Sequence, residues 1–334
     1  MTQERDMNKI QSLLLIVAFL FSPFVTSAQQ IGSLTNRPDK VWIKSENGLV
    51  ISWTKGISVD ADSSRINVYD KQGHPISNFD VLKLVPDAKS VSIYDVSARR
   101  DQMIAVAAVY VKNSEVPPAG ILMVFDYKGN LESAVALDPS REIVALELDD
   151  ASHIWTLTWG PGGKEPGESP VVVEYDRRGL TVGSFLNWSL FPPHTDMIAQ
   201  NQRAGAASAG YDSDRFWFWL PVSTDLVVVD TKDGSAVNRT KTALPLLADH
   251  TLWPLHIMRE PSGVVVGDFR VASIVPNAKA ELGYFAWSPI TKTWSSFSPG
   301  ACQGSRLVGM DREDHIYFKF DNSSSICAYN NVHK

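Results

Sequence analysis

Short apolar runs broken by polar turns recur along the whole chain. Six runs with strong β preference stand out: Leu49-Val-Ile-Ser-Trp53, Met103-Ile-Ala-Val-Ala107, Ile154-Trp-Thr-Leu-Thr-Trp159, Phe216-Trp-Phe-Trp219, Val264-Val-Val266 and Ile316-Tyr-Phe-Lys-Phe320. Each follows a short polar turn, at 45–48, 98–101, 149–152, 212–214, 260–263 and 311–314 respectively. A second series alternates with the first. Ile66-Asn-Val-Tyr-Asp-Lys-Gln-Gly73 recurs as Leu122-Met-Val-Phe-Asp-Tyr-Lys-Gly129, as Val172-Val-Glu-Tyr-Asp-Arg-Arg-Gly179 and, with one extra residue, as Leu226-Val-Val-Val-Asp-Thr-Lys-Asp-Gly234. Weaker copies at Gly283–Pro289 and Ile326–Asn331 carry Ser288 and Asn330 in the Asp position. The chemistry of this turn is local. The Asp carboxylate accepts backbone N–H groups within the turn, and Gly takes the left-handed conformation that closes a hairpin.

The turn markers at 70, 126, 176, 230, 288 and 330 are spaced by about 52 residues, the period of a four-stranded repeat unit. No segment carries a long apolar stripe at helical spacing, so the pattern predicts an all-β chain. Two turn types alternating six times predict a six-bladed β-propeller, with four antiparallel strands per blade. A single sandwich of eight or ten strands does not account for that alternation. The last unit ends after its third strand, so its outer strand is expected from the N-terminus, around Ile31–Asn36, closing the ring.

With strands lettered A to D from the centre outward, the A–B and C–D turns are short and share one face. The B–C connections (112–119, 160–170, 270–281) and D–A connections (187–203, 244–254) share the other face and hold the elaboration. Long loops over a rigid scaffold are where binding groups collect. The binding candidates on that face are Trp159, Trp188, His194, Asp196, His250 and Trp253, with Asp249 beside them, and His256 on the innermost strand of blade five. Strand alternation allows at most one of His256 and Arg259 to face the channel. Trp155, Trp217 and Trp219 are expected to pack between blades.

The N-terminus changes the picture of where the chain works. Leu13–Phe21 is a nine-residue apolar run after Lys9 and before Thr26-Ser27-Ala28. It is too short for a bilayer core of about 30 Å and has the order of a secretory leader. The expected organisation is a leader at 1–28 and one propeller at 29–334, exported to a periplasmic or extracellular space. The composition, 44% hydrophobic and 20% charged, is that of a folded domain, and the formal charge of −6 argues against a nucleic-acid binder. In an oxidising compartment the only two cysteines, Cys302 and Cys327, are expected to pair and tie down the last blade. Asn187-Trp-Ser, Asn238-Arg-Thr and Asn322-Ser-Ser fit the glycosylation pattern, which carries weight only in a host that reads it.

No local pattern specifies chemistry. The acidic A–B turns lack the alternating ligand ladder of a calcium loop, no closely spaced His pair suggests a metal, and Gly160-Pro-Gly-Gly-Lys164 lacks the Ser/Thr and helix of a phosphate loop. The aromatic-Asp-x-x-Gly turns, with the Asp-rich turns ahead of Ile154-Trp155 and Phe216-Trp217, resemble those of secreted bacterial six-bladed propellers of the NHL-repeat and TolB-like group, from about residue 40 onward. That resemblance implies a fold and not an activity, since the group includes lyases, lactonases, ligand binders and scaffolds. Its lactonases hold a metal with Glu, Asn and Asp in the channel, and no position here matches that set. Two expectations follow. One is a binding or interaction propeller with no cofactor, holding a protein or small ligand on the loop-rich face. The alternative is a channel-mouth enzyme, a lyase or a lactonase or hydrolase with a divalent metal, in which His256 serves as base or ligand and Glu142, Glu147 or Asp196 supplies a carboxylate.

Overall fold

The computed structural model describes residues 29–33 and, from Val41 to Asn330, all but positions 47–48, 55–56, 59–63, 71, 100–101, 114–116, 139–140, 160–168, 192–207, 213, 222, 246, 248, 275–278, 311–314 and 321–324. The leader at 1–28 therefore lies outside the described residues. The first strand, β1 (Gln29–Ser33), is separate from the blade that follows it. Blade one is β2 (Val41–Glu46), β3 (Leu49–Thr54), then, after the short β4 (Ile57–Ser58), β5 (Arg65–Asp70) and β6 (Pro75–Asp80). Blade two is β7 (Ser90–Arg99), β8 (Met103–Val111), β9 (Ala119–Asp126) and β10 (Leu131–Ala136). Blade three is β11 (Glu142–Leu148), β12 (Ile154–Trp159), β13 (Pro170–Tyr175) and β14 (Thr181–Asn187). Blade four is β15 (Ser208–Asp212), β16 (Arg215–Leu220), β17 (Asp225–Asp230) and β18 (Ala236–Lys241). Blade five is β19 (His250–Arg259), β20 (Val265–Ser273), β21 (Glu281–Ser288) and β22 (Thr293–Ser296). Blade six is β23 (Arg306–Met310), β24 (His315–Lys319) and β25 (Ser325–Asn330), with β1 as its fourth strand.

The six first strands β2, β7, β11, β15, β19 and β23 each touch the next, and β23 returns to β2, so the ring is closed. The chain is a six-bladed β-propeller. Closure has two devices. β1 pairs antiparallel with β25 in the register Gln29↔Ala328, Gln30↔Cys327 and Ile31↔Ile326. The donated strand thus begins before the Ile31 expected from sequence, and residues 34–36 of that expectation lie outside the described residues. Cys302, in a single 3-10 turn, is disulfide-bonded to Cys327 on β25 with Cα atoms 5.7 Å apart. Closing a loop of 25 residues contributes about 3 kcal/mol in the chain-entropy picture.

The core is distributed between blades. In β8, Ile104, Val106 and Ala108 pack toward blade one, whereas Met103, Ala105 and Ala107 pack toward blade three. In β16, Phe216, Phe218 and Leu220 face blade three, and Trp217 and Trp219 face blade five. Side-chain alternation therefore buries both faces of a middle strand, which is why these segments read as continuous apolar runs. Trp155, Trp217 and Trp219 are packing residues, as expected.

The Asp-x-x-Gly turns form as their chemistry dictates. Asp126 Oδ1 accepts the N–H groups of Lys128 and Asn130 at 2.9 and 2.8 Å, and Asp176 Oδ1 those of Arg178 and Leu180 at 2.8 and 2.9 Å. The closing glycines 129, 179 and 234 all have positive φ. These turns also nest against the preceding blade: a Cβ on Gly234 would fall within the Phe185 ring of β14. One element departs from the all-β reading. Asp80 accepts the Leu82 N–H at 3.1 Å and caps a single helical turn, α1 (Val81–Leu84), in the first D–A connection.

An innermost strand has a free edge, and its N–H groups need acceptors. The preceding blade supplies them through side chains. Asp95 Oδ2 accepts Leu146 N–H at 2.8 Å, Ser97 Oγ accepts Leu148 N–H at 3.3 Å, Ser208 Oγ accepts Ile257 N–H at 3.3 Å, and Asp268 Oδ2 accepts Leu307 N–H at 3.1 Å. These polar clips fix neighbouring blades at the centre, where no ladder joins them.

Candidate functional site

Every innermost strand runs from a D–A connection to an A–B turn. The first residues of β7, β11 and β19 therefore stand at the loop-rich mouth and the last at the short-turn mouth. Trp159, at the end of β12, is half-buried and meets Trp188 edge-on, with ring centroids 4.9 Å apart. Trp188 itself is 7% exposed and belongs to the core between blades three and four, beside Phe191. Arg239 lies over Phe191 at 4.5 Å, donates to the Leu190 carbonyl at 2.6 Å and pairs with buried Asp225 at 3.0 Å. Trp188 thus anchors the start of the long connection from inside. His194 and Asp196 lie outside the described residues.

His250 and Trp253 sit on a strand where the sequence suggested a connection. β19 begins at His250 and pairs His250↔Ser273 and Trp253↔Arg270, so β19 and β20 extend beyond β21, whose first pair is Val271↔Glu281. Pro254 hid this strand, because a residue without an N–H reads as a break; here it precedes a bulge between Pro254 and His256. Trp253 is 46% exposed, near the exposed Ile274 and Leu247 at the same end of the blade. His256 is set deeper. Its N–H and Nδ1 lie 2.8 and 3.0 Å from Oδ1 of fully buried Asp268. Arg259 points toward Asp212 at 3.9 Å, and burial pulls its pKa down. The structure therefore brings Trp159 and Trp188 together, whereas His250, Trp253 and His256 belong to another blade.

Tyr94 is not among the residues that the sequence pattern singles out. It is the extra residue of a bulge between Ile93 and Asp95 on β7, a position where a strand re-aims its side chain. Glu142, the first residue of β11, is half-buried, and Trp159 is its cross-strand partner, so the two share a face of blade three. Burial raises the Glu142 pKa. Burial, and then the charge of Glu142, raise that of Tyr94. Among the described residues, neither Tyr94 nor Glu142 has a hydrogen bond or ion pair, and Trp159 Nε1 is buried without one. At the same mouth, β4 pairs with β7 at Ile57↔Ser92 and Ser58↔Val91.

Polar groups deeper in the centre and at the short-turn mouth are mutually satisfied. Lys44 Nζ reaches Glu147 at 2.7 Å, the Leu146 carbonyl at 3.1 Å and Asp95 at 3.3 Å, and Ser97 Oγ donates to Glu147 at 3.3 Å. Arg99 pairs with Asp150, donates to the Leu148 carbonyl at 2.7 Å and lies over the Tyr211 ring at 5.0 Å. Tyr211 OH donates to Asp214 at 3.3 Å. Lys44, Asp95 and Ser97 escaped the sequence reading because their partners lie about 50 or more residues away. Among the described residues, no three His, Cys, Asp or Glu side chains gather as metal ligands, and no helix is long and apolar enough to cross a membrane.

No protein-family model and no curated protein matches the chain. Solved structures do match it as a propeller. A candidate exported protein from Bacteroides fragilis is similar at 9% identity, covering 94% of this chain and 97% of that one, with a TM-score of 0.54. The major allergen Mala s 1 of Malassezia sympodialis, at 13% identity and 91% and 98% coverage, has a TM-score of 0.49. Identities this low speak for the fold alone.

Proposed function

We propose that this chain is an exported binding propeller whose ligand or partner is held at the loop-rich mouth. The observation that carries this reading is the contrast between the two mouths. At the loop-rich mouth Tyr94, Glu142 and Trp159 are left without partners, whereas at the short-turn mouth Arg99, Asp150, Tyr211 and Asp214 partner one another. Polar groups gathered unpaired at the mouth of a channel are available to a ligand. Export is supported by the Cys302–Cys327 disulfide and by the leader-like apolar run of residues 13–21. The organisation proposed is a removed leader at 1–28 and a mature propeller at 29–334. Within propellers, the repeated Asp-x-x-Gly turns favour the NHL-repeat and TolB-like group.

A second reading, an enzyme of the central channel, is favoured by one feature. Asp268 fixes Nδ1 of His256, the way a carboxylate orients a general base. A thermal-shift screen of small molecules addresses both readings. Compounds that raise Tm should lose their effect in Glu142→Gln and Tyr94→Phe and keep it in Asp150→Asn and Tyr211→Phe; the opposite pattern would move the working face to the other mouth. The enzymatic reading requires, in addition, that a bound compound be converted by the wild type and not by His256→Gln.

A further inference from the structure

Glu142, Tyr94 and Trp159 come from two blades and three strands, and their chemistry is complementary. A half-buried carboxylate without a counter-ion is costly, and a cation is what relieves that cost. The Trp159 indole is the cross-strand partner of Glu142, and the Tyr94 phenol, on the adjoining innermost strand, feels its charge; such rings offer π faces that attract an ammonium group and repel an anion. Among the described residues, nothing basic pairs with Glu142.

We infer that the Tyr94–Glu142–Trp159 cluster is the receptor for a small organic cation, an alkylammonium head group seated against the carboxylate and flanked by the two rings. This rests on the reading that the loop-rich mouth is the working face, and it adds the chemical class of what enters. Glu142 supplies the charge, Tyr94 is aimed by its bulge, and Trp159 is held by its edge contact with Trp188.

The test is calorimetric titration of the full chain with choline chloride at low ionic strength, against sodium chloride and the neutral isostere 3,3-dimethylbutan-1-ol. Saturable choline binding that weakens with added salt, is absent for the isostere and falls about tenfold or more in Glu142→Gln is the expected result, the size of losing one charge-assisted contact. Tyr94→Leu should weaken it as well, and a single cooperative unfolding transition in both variants would show that the fold is retained. The inference is overturned by no saturable choline binding, by equal binding of the isostere, or by choline binding that Glu142→Gln leaves intact. If choline fails while another compound from the thermal-shift screen still depends on Glu142 and Tyr94, the cation assignment falls and the loop-rich mouth stands.

Discussion

Glu142 shows how a single residue reports a site. Its carboxyl is less acidic in the folded chain than in the unfolded one because burial disfavours the charged form. A carboxyl with a raised folded pKa binds protons more tightly in the native state, so stability is lost as pH rises from the ordinary Glu range through the folded pKa. Glu142→Gln removes that loss. Urea unfolding at several pH values should therefore find the variant more stable than wild type at neutral pH, with the gain vanishing once the medium is more acidic than the ordinary Glu range. A variant less stable at pH 7 would mean that Glu142 has a structural partner. Asp126 behaves in the opposite way. Hydrogen bonds from the side chain and N–H of Asn130, and from the Lys128 N–H, hold its pKa down, so its contribution is present at neutral pH and lost as the medium becomes acidic. At neutral pH the first residue costs the native state stability, and the second adds to it.

Among the elements, the C–D turns explain how a blade finds its neighbour. The turn glycines serve backbone conformation, and at Gly234 they serve approach as well: its φ is +70°, and the space a Cβ would occupy belongs to Phe185. Gly234→Ala should cost about 1–3 kcal/mol, combining left-handed strain with displacement of an aromatic ring in a packed seam, as read from a chemical-denaturation midpoint. A neutral result would mean that the turn does not lock blades three and four. What the sequence disclosed follows the same division by distance. The turn of Asp126 was legible because donor and acceptor lie within five residues, and the apolar runs were legible because both blade faces need filling. The β19–β20 extension was not legible, since Pro254 masks the strand and its pairing is set by residues 270–273. Tyr94 was not legible either, because a bulge shifts side-chain parity without leaving a mark in composition. Trp188 reads as a loop aromatic and is a buried anchor, a fate set by Phe191 and by Arg239 of the next blade.

For the molecule as a whole, rigidity is built into the ring. Interblade apolar clusters, side-chain clips such as Asp95 to Leu146 and Asp268 to Leu307, the donated strand β1 and the Cys302–Cys327 bond fix six blades around one axis. At the short-turn mouth, Arg99, Asp150, Tyr211 and Asp214 partner one another among the described residues. The most direct test is hydrogen–deuterium exchange, with and without the compound that raises Tm most in the screen. Protection is predicted in peptides spanning 90–96, 142–147 and 156–159, at the loop-rich ends of blades two and three. Protection confined to 149–153 and 211–215, at the short-turn mouth, would contradict the account.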